Sequence, residues 1–325
     1  MDRNQILKAY ELMLLSRMLD EKMLSLQRQG KIGTFAPGRG HEAIQVGAVL
    51  ALDEKDWIVP YFRQGPAFIA RRYPIEMLLQ YNSGDERGMD IPSGMNMLPV
   101  NIPVASQIPH AVGLAWGFQK KAQKKAVLCF LGDGATSKGD FHESLNFAGV
   151  FKTPNIFIIE NNQYAISIPL KKQTASRTLA QKADAYGIEQ MRVDGNNIEE
   201  MYEAVKKARK LALGGNPVLI EAVTYRLGDH TTADNASRYR GKEEVEEAMK
   251  KDWAVVLKKK LIEKGFWNES KEKQLRKKIE KIIEKAVKKF ESLKAMDPQE
   301  IFRYTLHEMT PSLKKQSETL GGKYG

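Results

Sequence analysis

Two short stretches of the chain decide its fold. The first is Ala126-Val-Leu-Cys-Phe-Leu131 followed by Gly132-Asp-Gly134, and the second is Asn155-Ile-Phe-Ile-Ile-Glu160 followed by Asn161-Asn162. Each begins with an apolar run that does not alternate, which is typical of a strand covered by helices on both faces of a parallel sheet. A helical pattern at Phe141–Phe151 lies between the two runs. The order strand, helix, strand predicts a βαβ unit with parallel strands.

The polar residues that follow the two runs predict a metal site. Open α/β sheets bind ligands at the carboxyl ends of their strands, so one crossover brings Asp133 and Asn162 side by side. Gly132 and Gly134 let the backbone approach a ligand and offer N–H groups to an anion. A carboxylate, an amide oxygen and the nearby carbonyl of Tyr164 are hard ligands that select magnesium. Each dipeptide alone is typical of a turn, but together they predict Mg²⁺ beside a diphosphate.

The same alternation extends along the chain and predicts a doubly wound parallel α/β sheet. A third apolar run, Pro217–Val223, follows a helical pattern at Ile198–Leu213, and a further helix is predicted at Ser106–Gln119. The predicted organisation is an N-terminal helical extension over residues 1–30, an α/β domain over 31–241 and a C-terminal helical extension over 242–325 that packs on the main domain.

Both ends of the chain show helical periodicity. Residues 2–29 predict one long helix, and a second begins at about Glu42. After an irregular polar stretch at 226–241, two helices are predicted on either side of Gly265. Their apolar stripes are Val245, Met249, Trp253 and Val256 in the first and Leu275, Ile279, Ile282, Ala286 and Phe290 in the second. The tail after Pro311 lacks such a stripe, and we expect loose order there.

Composition indicates a globular protein of a reducing compartment. Of the 325 residues, 42% are hydrophobic and 28% are charged, and the one cysteine, Cys129, cannot form an internal disulfide. No apolar run approaches the roughly 20 residues that span a bilayer, and the charged N-terminus is unlike a signal peptide. We therefore expect a cytoplasmic protein without membrane contact. The net charge of +11 arises from lysines that alternate with glutamates on helices, which favours a solvated surface over nucleic-acid binding.

The longer motif resembles a known family. Gly132-Asp-Gly-Ala-Thr-Ser-Lys-Gly-Asp-Phe-His-Glu-Ser-Leu-Asn146, continuing to Glu160-Asn-Asn-Gln-Tyr-Ala-Ile-Ser167, is similar to the thiamine-diphosphate motif. More narrowly, it resembles the alpha subunit of the decarboxylating component of 2-oxo acid dehydrogenase complexes, and the likeness covers roughly residues 30–240. The resemblance implies the diphosphate-binding half of the thiamine-diphosphate fold, with Mg²⁺ on Asp133, Asn162 and the carbonyl of Tyr164.

The resemblance also implies further site residues. The cofactor-binding positions are Phe62, Arg63, Ile102, Val104, Gly132, Gly134, Ala135 and His230. Phe62 stands where the family has a tyrosine, so that hydroxyl's hydrogen bond is lost or taken over by Tyr61. His230 matches a histidine that contacts the diphosphate and helps to acylate the lipoyl group, which makes it the candidate catalytic residue. The remaining histidines (His41, His110, His142 and His307) are interpreted as structural or surface residues.

A structural potassium ion is a further expectation. Asn101, Ser106 and Gln107 match positions that bind such an ion in some members of the family. An alternative interpretation, compatible with the first, is a helix that is N-capped by Ser106.

The chain supplies only half of an active site of this kind. In the superfamily the site lies between a domain that holds the diphosphate and a domain that holds the thiamine ring, and the sequence has no second parallel-sheet pattern. The resemblance implies a beta subunit that carries the activating glutamate, an assembly of two alpha and two beta chains, and a lipoyl-bearing acyltransferase that accepts the acyl group.

The substrate class is predicted from aromatic residues. Tyr61, Phe62 and Phe35 suggest an aromatic wall, which favours a branched-chain 2-oxo acid such as 2-oxoisovalerate. The alternatives are a pyruvate or acetoin dehydrogenase, the diphosphate-binding half of a split transketolase and, more remotely, a basic nucleic-acid-binding protein.

Overall fold

A five-stranded parallel sheet forms the centre of the fold. The computed structural model describes residues 1–324, with side chains to residue 321. The strands are β1 (Trp57–Val59), β2 (Val127–Gly132), β3 (Asn155–Asn161), β6 (Glu189–Asp194) and β7 (Val218–Val223), and their spatial order is β1-β2-β3-β7-β6. Every neighbouring pair is parallel. A separate antiparallel pair, β4 (Tyr164–Ala165) and β5 (Ile168–Pro169), follows β3.

Helices cover both faces of the sheet and extend beyond it at both ends of the chain. Their bounds are α1 Arg3–Arg28, α2 Glu42–Ala51, α3 Gly65–Ala70, α4 Ile75–Asn82, α5 Gln107–Lys120, α6 Gly139–Phe151, α7 Ile198–Leu213, α8 Lys242–Lys250, α9 Trp253–Glu263, α10 Glu269–Glu291, α11 Glu300–Arg303 and α12 Pro311–Tyr324. Short 3-10 turns occur at Glu86–Met89, Asp133–Ser137, Leu170–Lys172, Ala180–Tyr186 and Ala236–Arg238. Within the described residues, no helix has both the length and the apolar character that crossing a membrane requires.

The central strands are buried on both faces because the core is two-sided. In β2, Leu128 and Phe130 pack into one hydrophobic cluster with residues of α1, α2, α7 and α10. Val127, Cys129 and Leu131 alternate with them and pack into a second cluster with residues of α5 and α6. Burial on both faces explains why the apolar runs do not alternate. The predicted doubly wound α/β fold is confirmed.

The sequence predicted the middle of the sheet and missed its edges. The three predicted strands and the helices α1, α2, α5, α6 and α7 lie within two residues of their expected bounds. β1 has only three residues, and β6 is the polar segment Glu189–Asp194, most of whose side chains are exposed. β1 was missed because its apolar run is short, although Ile58 and Val59 are buried, and β6 was missed because an edge strand needs little apolar surface.

The helix predicted through residues 245–256 is broken in two. Asp252 begins α9 because its side chain accepts a hydrogen bond from the N–H of Ala254 at 3.2 Å. Its two carboxylate oxygens also bind Arg17 at 2.9 and 3.1 Å, which ties the break to α1. Of the predicted stripe only Trp253 is buried; Val245, Met249 and Val256 are half-buried or exposed.

Two further expectations about the C-terminal helices were wrong. In α10, Ile283 is 4% exposed and takes the inward position expected of Ile282, which is 37% exposed. The segment after Pro311 forms α12. The stretch 226–241 is irregular as predicted, apart from one 3-10 turn.

Gly149 allows α6 to approach the turn at residues 180–186. A Cβ at this position would lie 2.1 Å from the carbonyl oxygen of Tyr186, whereas a Cβ at Gly139 of the same helix would make an ordinary contact of 3.4 Å with Glu143. We expect Gly149→Ala to lower the free energy of unfolding by about 1–3 kcal/mol, since overpacking outweighs the better helix propensity of alanine. Urea denaturation measures the difference.

Gly139→Ala is the matched control, because it changes the same residue type in the same helix. It should leave stability unchanged or raise it by up to about 1 kcal/mol. Equal effects of the two substitutions would contradict the close approach at Gly149.

Candidate active site

A cleft of about 970 Å³ opens at the carboxyl edge of the sheet, where β2 and β3 end. Besides these strand ends, its walls come from five segments that are distant in sequence: the loop at 31–41, the residues after β1, residues 81–86, the segment before α5 and the loop at 226–241. Every site residue predicted from the sequence lines this cleft except Asn101 and Ser106. The fold therefore gathers the predicted residues into one place.

The candidate metal ligands lie on adjacent strand ends. Asp133 and Asn162 are 1% and 5% exposed, and both line the cleft. Asn162 Oδ1 accepts a hydrogen bond from the N–H of Tyr164 at 3.2 Å, which holds the start of β4 against this amide. Burial raises the pKa of Asp133, and a hydrogen bond from Gln173 Nε2 at 2.9 Å opposes that rise. The residues predicted to supply the oxygen ligands thus line the same cleft.

The two glycines of the turn have different surroundings. A Cβ at Gly134 would lie 2.8 Å from the Cβ of Ala165, so β4 packs directly on this glycine. A Cβ at Gly132 would meet nothing within 4 Å, although the residue lines the cleft. Ala135 is buried beside them. The turn therefore leaves the backbone accessible at one glycine and closely packed at the other.

Two buried arginines concentrate positive charge here. Arg63 is 2% exposed and lines the cleft; its guanidinium donates to the carbonyls of Pro37 at 2.8 Å and His230 at 2.9 Å. Arg226 is 1% exposed and donates to the carbonyl of Ile166 at 2.8 Å. Burial and then the charge of Arg63 lower the pKa of Arg226. Among the described residues, neither arginine has a hydrogen-bond partner for its buried Nε. Such a pair attracts an anion.

His230 lies between Arg63 and Phe62. Its Nδ1 is 3.1 Å from Arg63 Nη2, its backbone N–H donates to Asp234 at 2.8 Å, and its ring meets the edge of Phe62 with centroids 5.8 Å apart. Burial lowers the pKa of His230 to about 4, and the charges of Arg63 and Arg226 act in the same direction. The imidazole is therefore neutral near pH 7. Because the guanidinium can only donate, Nδ1 accepts and the ring proton is on Nε2.

Comparison with known proteins agrees with this geometry. The family model described as "Dehydrogenase E1 component" matches residues 10–299. The chain belongs to the dehydrogenase E1 component family. It is 42% identical over 315 residues to the pyruvate dehydrogenase E1 component subunit alpha of Mycoplasma genitalium, which covers 97% of this chain and 88% of that protein. The proteins of the same name from Acholeplasma laidlawii and Staphylococcus aureus are 43% and 39% identical, again over 97% of the chain and 92% and 85% of their own lengths. The predicted resemblance to 2-oxo acid dehydrogenase alpha subunits is confirmed.

Thiamine diphosphate, which the E1 family implies, fits the residues of the cleft. The unpartnered Nε of Arg63 is a buried donor in its wall, and the open backbone at Gly132 leaves room for an anion. Asp133, Asn162 and the carbonyl of Tyr164 are the oxygen donors that suit a divalent cation between the protein and a diphosphate. The donor chemistry thus matches both the anion and its metal.

The segment before α5 in this E1 chain departs from one expectation. Ser106 occupies the N-cap position, but its hydroxyl donates to Asn101 Oδ1 at 2.8 Å and does not cap the helix. Gln107 donates to the carbonyl of Phe130 at 2.9 Å, and its buried Oε1 has no partner among the described residues. Ala105, which lines the cleft, has a φ of 75°, which is unusual for alanine. The N-capped alternative is therefore wrong in detail, while the potassium site remains a prediction.

A buried polar cluster behind the cleft was missed from the sequence. The carboxylate of Glu160 accepts hydrogen bonds from Tyr61 at 2.8 Å, Gln64 at 2.7 Å and Gln45 at 3.3 Å. Burial raises the pKa of Glu160 to about 8, although these donors oppose the rise. The hydroxyl of Tyr61 therefore binds Glu160 inside the protein. This favours loss of the hydrogen bond that the family's tyrosine makes at the position of Phe62, and not its replacement by Tyr61. A glutamate inside an otherwise apolar strand was the available signal.

Arg226 and Gln173 were also missed. Arg226 follows β7 at the same edge of the sheet, so its position after an apolar run could have revealed it. Gln173 binds Asp133 across a turn and carries no such signal.

His41 is fully buried, and burial, followed by the charges of Arg63 and Arg226, holds its pKa well below the ordinary value.

The lowered pKa of His230 predicts a pH dependence of stability. The unfolded chain binds a proton below about pH 6.5, but the folded chain does so only below about pH 4, so stability falls as the pH drops through this interval. In the absence of cofactor, the free energy of unfolding should fall less between pH 7 and pH 4 in His230→Gln than in the wild type, by about 1–2 kcal/mol. Urea denaturation between pH 4 and pH 7 measures the slope.

His307→Gln is the control, because His307 is exposed. Its stability should depend on pH as that of the wild-type chain does. Buried His41 is present in both variants, so it contributes equally to the pH dependence of each. An identical slope in His230→Gln and the wild type would contradict a neutral, buried His230.

Proposed function

We propose that this chain is the alpha subunit of a pyruvate dehydrogenase E1 component. The observation that carries the proposal is near full-length similarity to alpha subunits of that name, together with a cleft whose donors suit a metal and a diphosphate. The similarity favours pyruvate, which was the alternative, over the branched-chain 2-oxo acid first expected. It gives no support to a split transketolase.

The chain's residues hold the cofactor in this proposal. Asp133, Asn162 and the carbonyl of Tyr164 bind Mg²⁺, and Arg63 donates to phosphate oxygens with a guanidinium that is already fixed. Gly132, Gly134 and Ala135 form the floor beneath the diphosphate. Asn101, Ser106 and Gln107 hold K⁺, for which the unpartnered Oε1 of Gln107 is the best support.

The chemistry divides between the cofactor and the protein. Bound thiamine diphosphate supplies the electron sink that decarboxylation of a 2-oxo acid needs. His230 holds a proton at Nε2 while Arg63 fixes its ring, so it can donate to an oxygen or sulfur in the cleft as the acyl group passes to a lipoyl group. Phe62 and Ile166 restrict water at the mouth.

A beta subunit completes the site in this proposal. Ile102, Val104 and Ile166 line the cleft yet are 56%, 48% and 55% exposed, so they form an apolar mouth that a partner would cover. We place the thiamine ring against Ile102 and Val104, with the activating glutamate on the beta chain. Two alpha and two beta chains, with a lipoyl-bearing acyltransferase as acceptor, complete the proposed assembly.

Metal-dependent cofactor binding tests the proposal. Calorimetric titration of thiamine diphosphate with Mg²⁺ into the chain co-expressed with its beta subunit should show tight binding that needs the metal. Asp133→Ala should weaken binding by about 100-fold or more, since it removes the one anionic side chain among the proposed ligands of the cation.

Asp297→Ala is the matched control, because that exposed aspartate does not line the cleft and its carboxylate binds Arg303 and the N–H of Gln299. It should bind the cofactor as the wild type does. If the folded wild-type assembly binds no thiamine diphosphate, the proposed function is wrong.

Substrate preference is tested separately. Because the chain is similar over nearly its whole length to pyruvate dehydrogenase alpha subunits, we expect kcat/KM for pyruvate to exceed that for 2-oxoisovalerate by about 10- to 200-fold, the usual cost of extra methyl groups in a pocket that fits a smaller substrate. The aromatic residues Phe35, Tyr61 and Phe62 line the cleft. Phe62→Ala should reduce this ratio by admitting the larger substrate. A preference of the wild-type assembly for 2-oxoisovalerate would return the assignment to the branched-chain class.

A further inference from the structure

The amide of Asn162 has one orientation that suits a cation. Its oxygen can bind a metal, but its NH₂ group cannot, and the two ends have nearly the same shape. The N–H of Tyr164 lies 3.2 Å from Oδ1, and Nδ2 lies 3.2 Å from Nε2 of His41. The opposite orientation would place the NH₂ group against the N–H of Tyr164, so that two donors would face each other.

This arrangement defines the state of His41. Because Nδ2 of Asn162 is a donor, this contact requires Nε2 of His41 to accept, which leaves the ring proton on Nδ1, a buried atom that has no hydrogen-bond partner among the described residues. Glu160 does not compete for Nε2, since its nearest oxygen is 3.9 Å away and it already accepts from three other side chains. Asn162 is therefore held from both ends, by a backbone donor at its oxygen and by an imidazole acceptor at its nitrogen.

The backbone holds the His41 ring in place. His41 is fully buried, and its backbone N–H donates to the carbonyl of Gly38 at 2.9 Å. At Gly40 the φ is +96°, and an added Cβ would lie 2.3 Å from the carbonyl oxygen of Tyr225. Thr224 donates to the carbonyl of Gly40 at 2.7 Å. The loop is thus fastened to the end of β7, so the imidazole has little freedom to move away from Asn162.

We propose that His41 is a positioning residue of the metal site, which fixes the amide of Asn162 so that its oxygen faces the cation. The proposal rests on the proposed function, because it assumes that Asn162 binds the metal. His41 itself makes no contact with the cation. Groups that orient metal ligands in this way commonly change metal affinity 10- to 100-fold when they are removed.

Two substitutions distinguish orientation from packing. His41→Leu replaces the imidazole with an apolar side chain of similar bulk, which has no acceptor for Nδ2 of Asn162. His41→Gln retains an oxygen that can accept from the same NH₂ group. Binding of Mn²⁺ in the presence of thiamine diphosphate, followed by the electron paramagnetic resonance of free Mn²⁺ in the alpha–beta assembly, measures metal affinity without reference to turnover.

We expect His41→Leu to weaken Mn²⁺ binding by about 10- to 100-fold, and His41→Gln by less than about threefold. The kcat at saturating metal and cofactor should stay near that of the wild type in both, because the site is correctly formed once the cation is bound. If His41→Leu does not fold, His41→Asn, whose side chain is too short to reach Asn162, replaces it with the same expectation.

Unchanged Mn²⁺ affinity in a folded His41→Leu assembly would overturn the proposal. So would equal losses in His41→Leu and His41→Gln, since these would indicate a packing role. A wild-type assembly that binds neither Mn²⁺ nor thiamine diphosphate would refute the proposed function instead, and that outcome is seen before any variant is made.

Discussion

The parallel pairing of β2 with β3 is the constraint on which the site depends. In this register Gly132 lies opposite Glu160, so the chain leaves both strands at one edge and the residues that follow meet across the cleft. The polar residues at the two ends of β3 help to fix the register. Asn155 donates to the carbonyl of Ala111 in α5, and Glu160 accepts from three buried side chains. A slip would leave these groups buried without partners, which costs more than the loss of any one apolar contact.

Burial of unbalanced charge is the second constraint. Arg63 and Arg226 are almost fully buried and repel each other, and each keeps one N–H group without a partner among the described residues. Such an arrangement destabilises the chain by itself, because buried charges normally require close counter-ions. An anion in the cleft would offset the charge of Arg63, whose guanidinium lines the cleft and is already held by the carbonyls of Pro37 and His230. A cleft of this kind stores part of the folding free energy as affinity for a negatively charged ligand.

The sequence predicted those features that depend on apolar pattern and on motif spacing. The strands of the two-sided core follow from such patterns and were placed correctly. Asp133 and Asn162 line one cleft, while their role as metal ligands stays a prediction. β6 was missed because it is an edge strand, and the break at Asp252 was missed because its cause is a tertiary ion pair with Arg17. Arg226 and Glu160 had a signal in the sequence, because one follows an apolar run and the other lies in one, but the pattern does not state which distant side chains they contact. Long-range electrostatics was therefore the part that local pattern could not reveal.

The choice of a neutral amide at position 162 connects these constraints. With Asp133 as the one anionic ligand, a bound Mg²⁺ would retain positive charge, and this charge would add to that of the two arginines in holding a diphosphate. A second carboxylate would neutralise the cation and weaken its pull on phosphate oxygens, but it would not need to be oriented, since its two oxygens are equivalent. An amide preserves the charge on the metal and requires a fixed orientation. The backbone N–H of Tyr164 and the imidazole of His41 satisfy that requirement from opposite ends. On the proposal made above, the histidine follows from the charge balance that binding a diphosphate demands, and its role exceeds core packing.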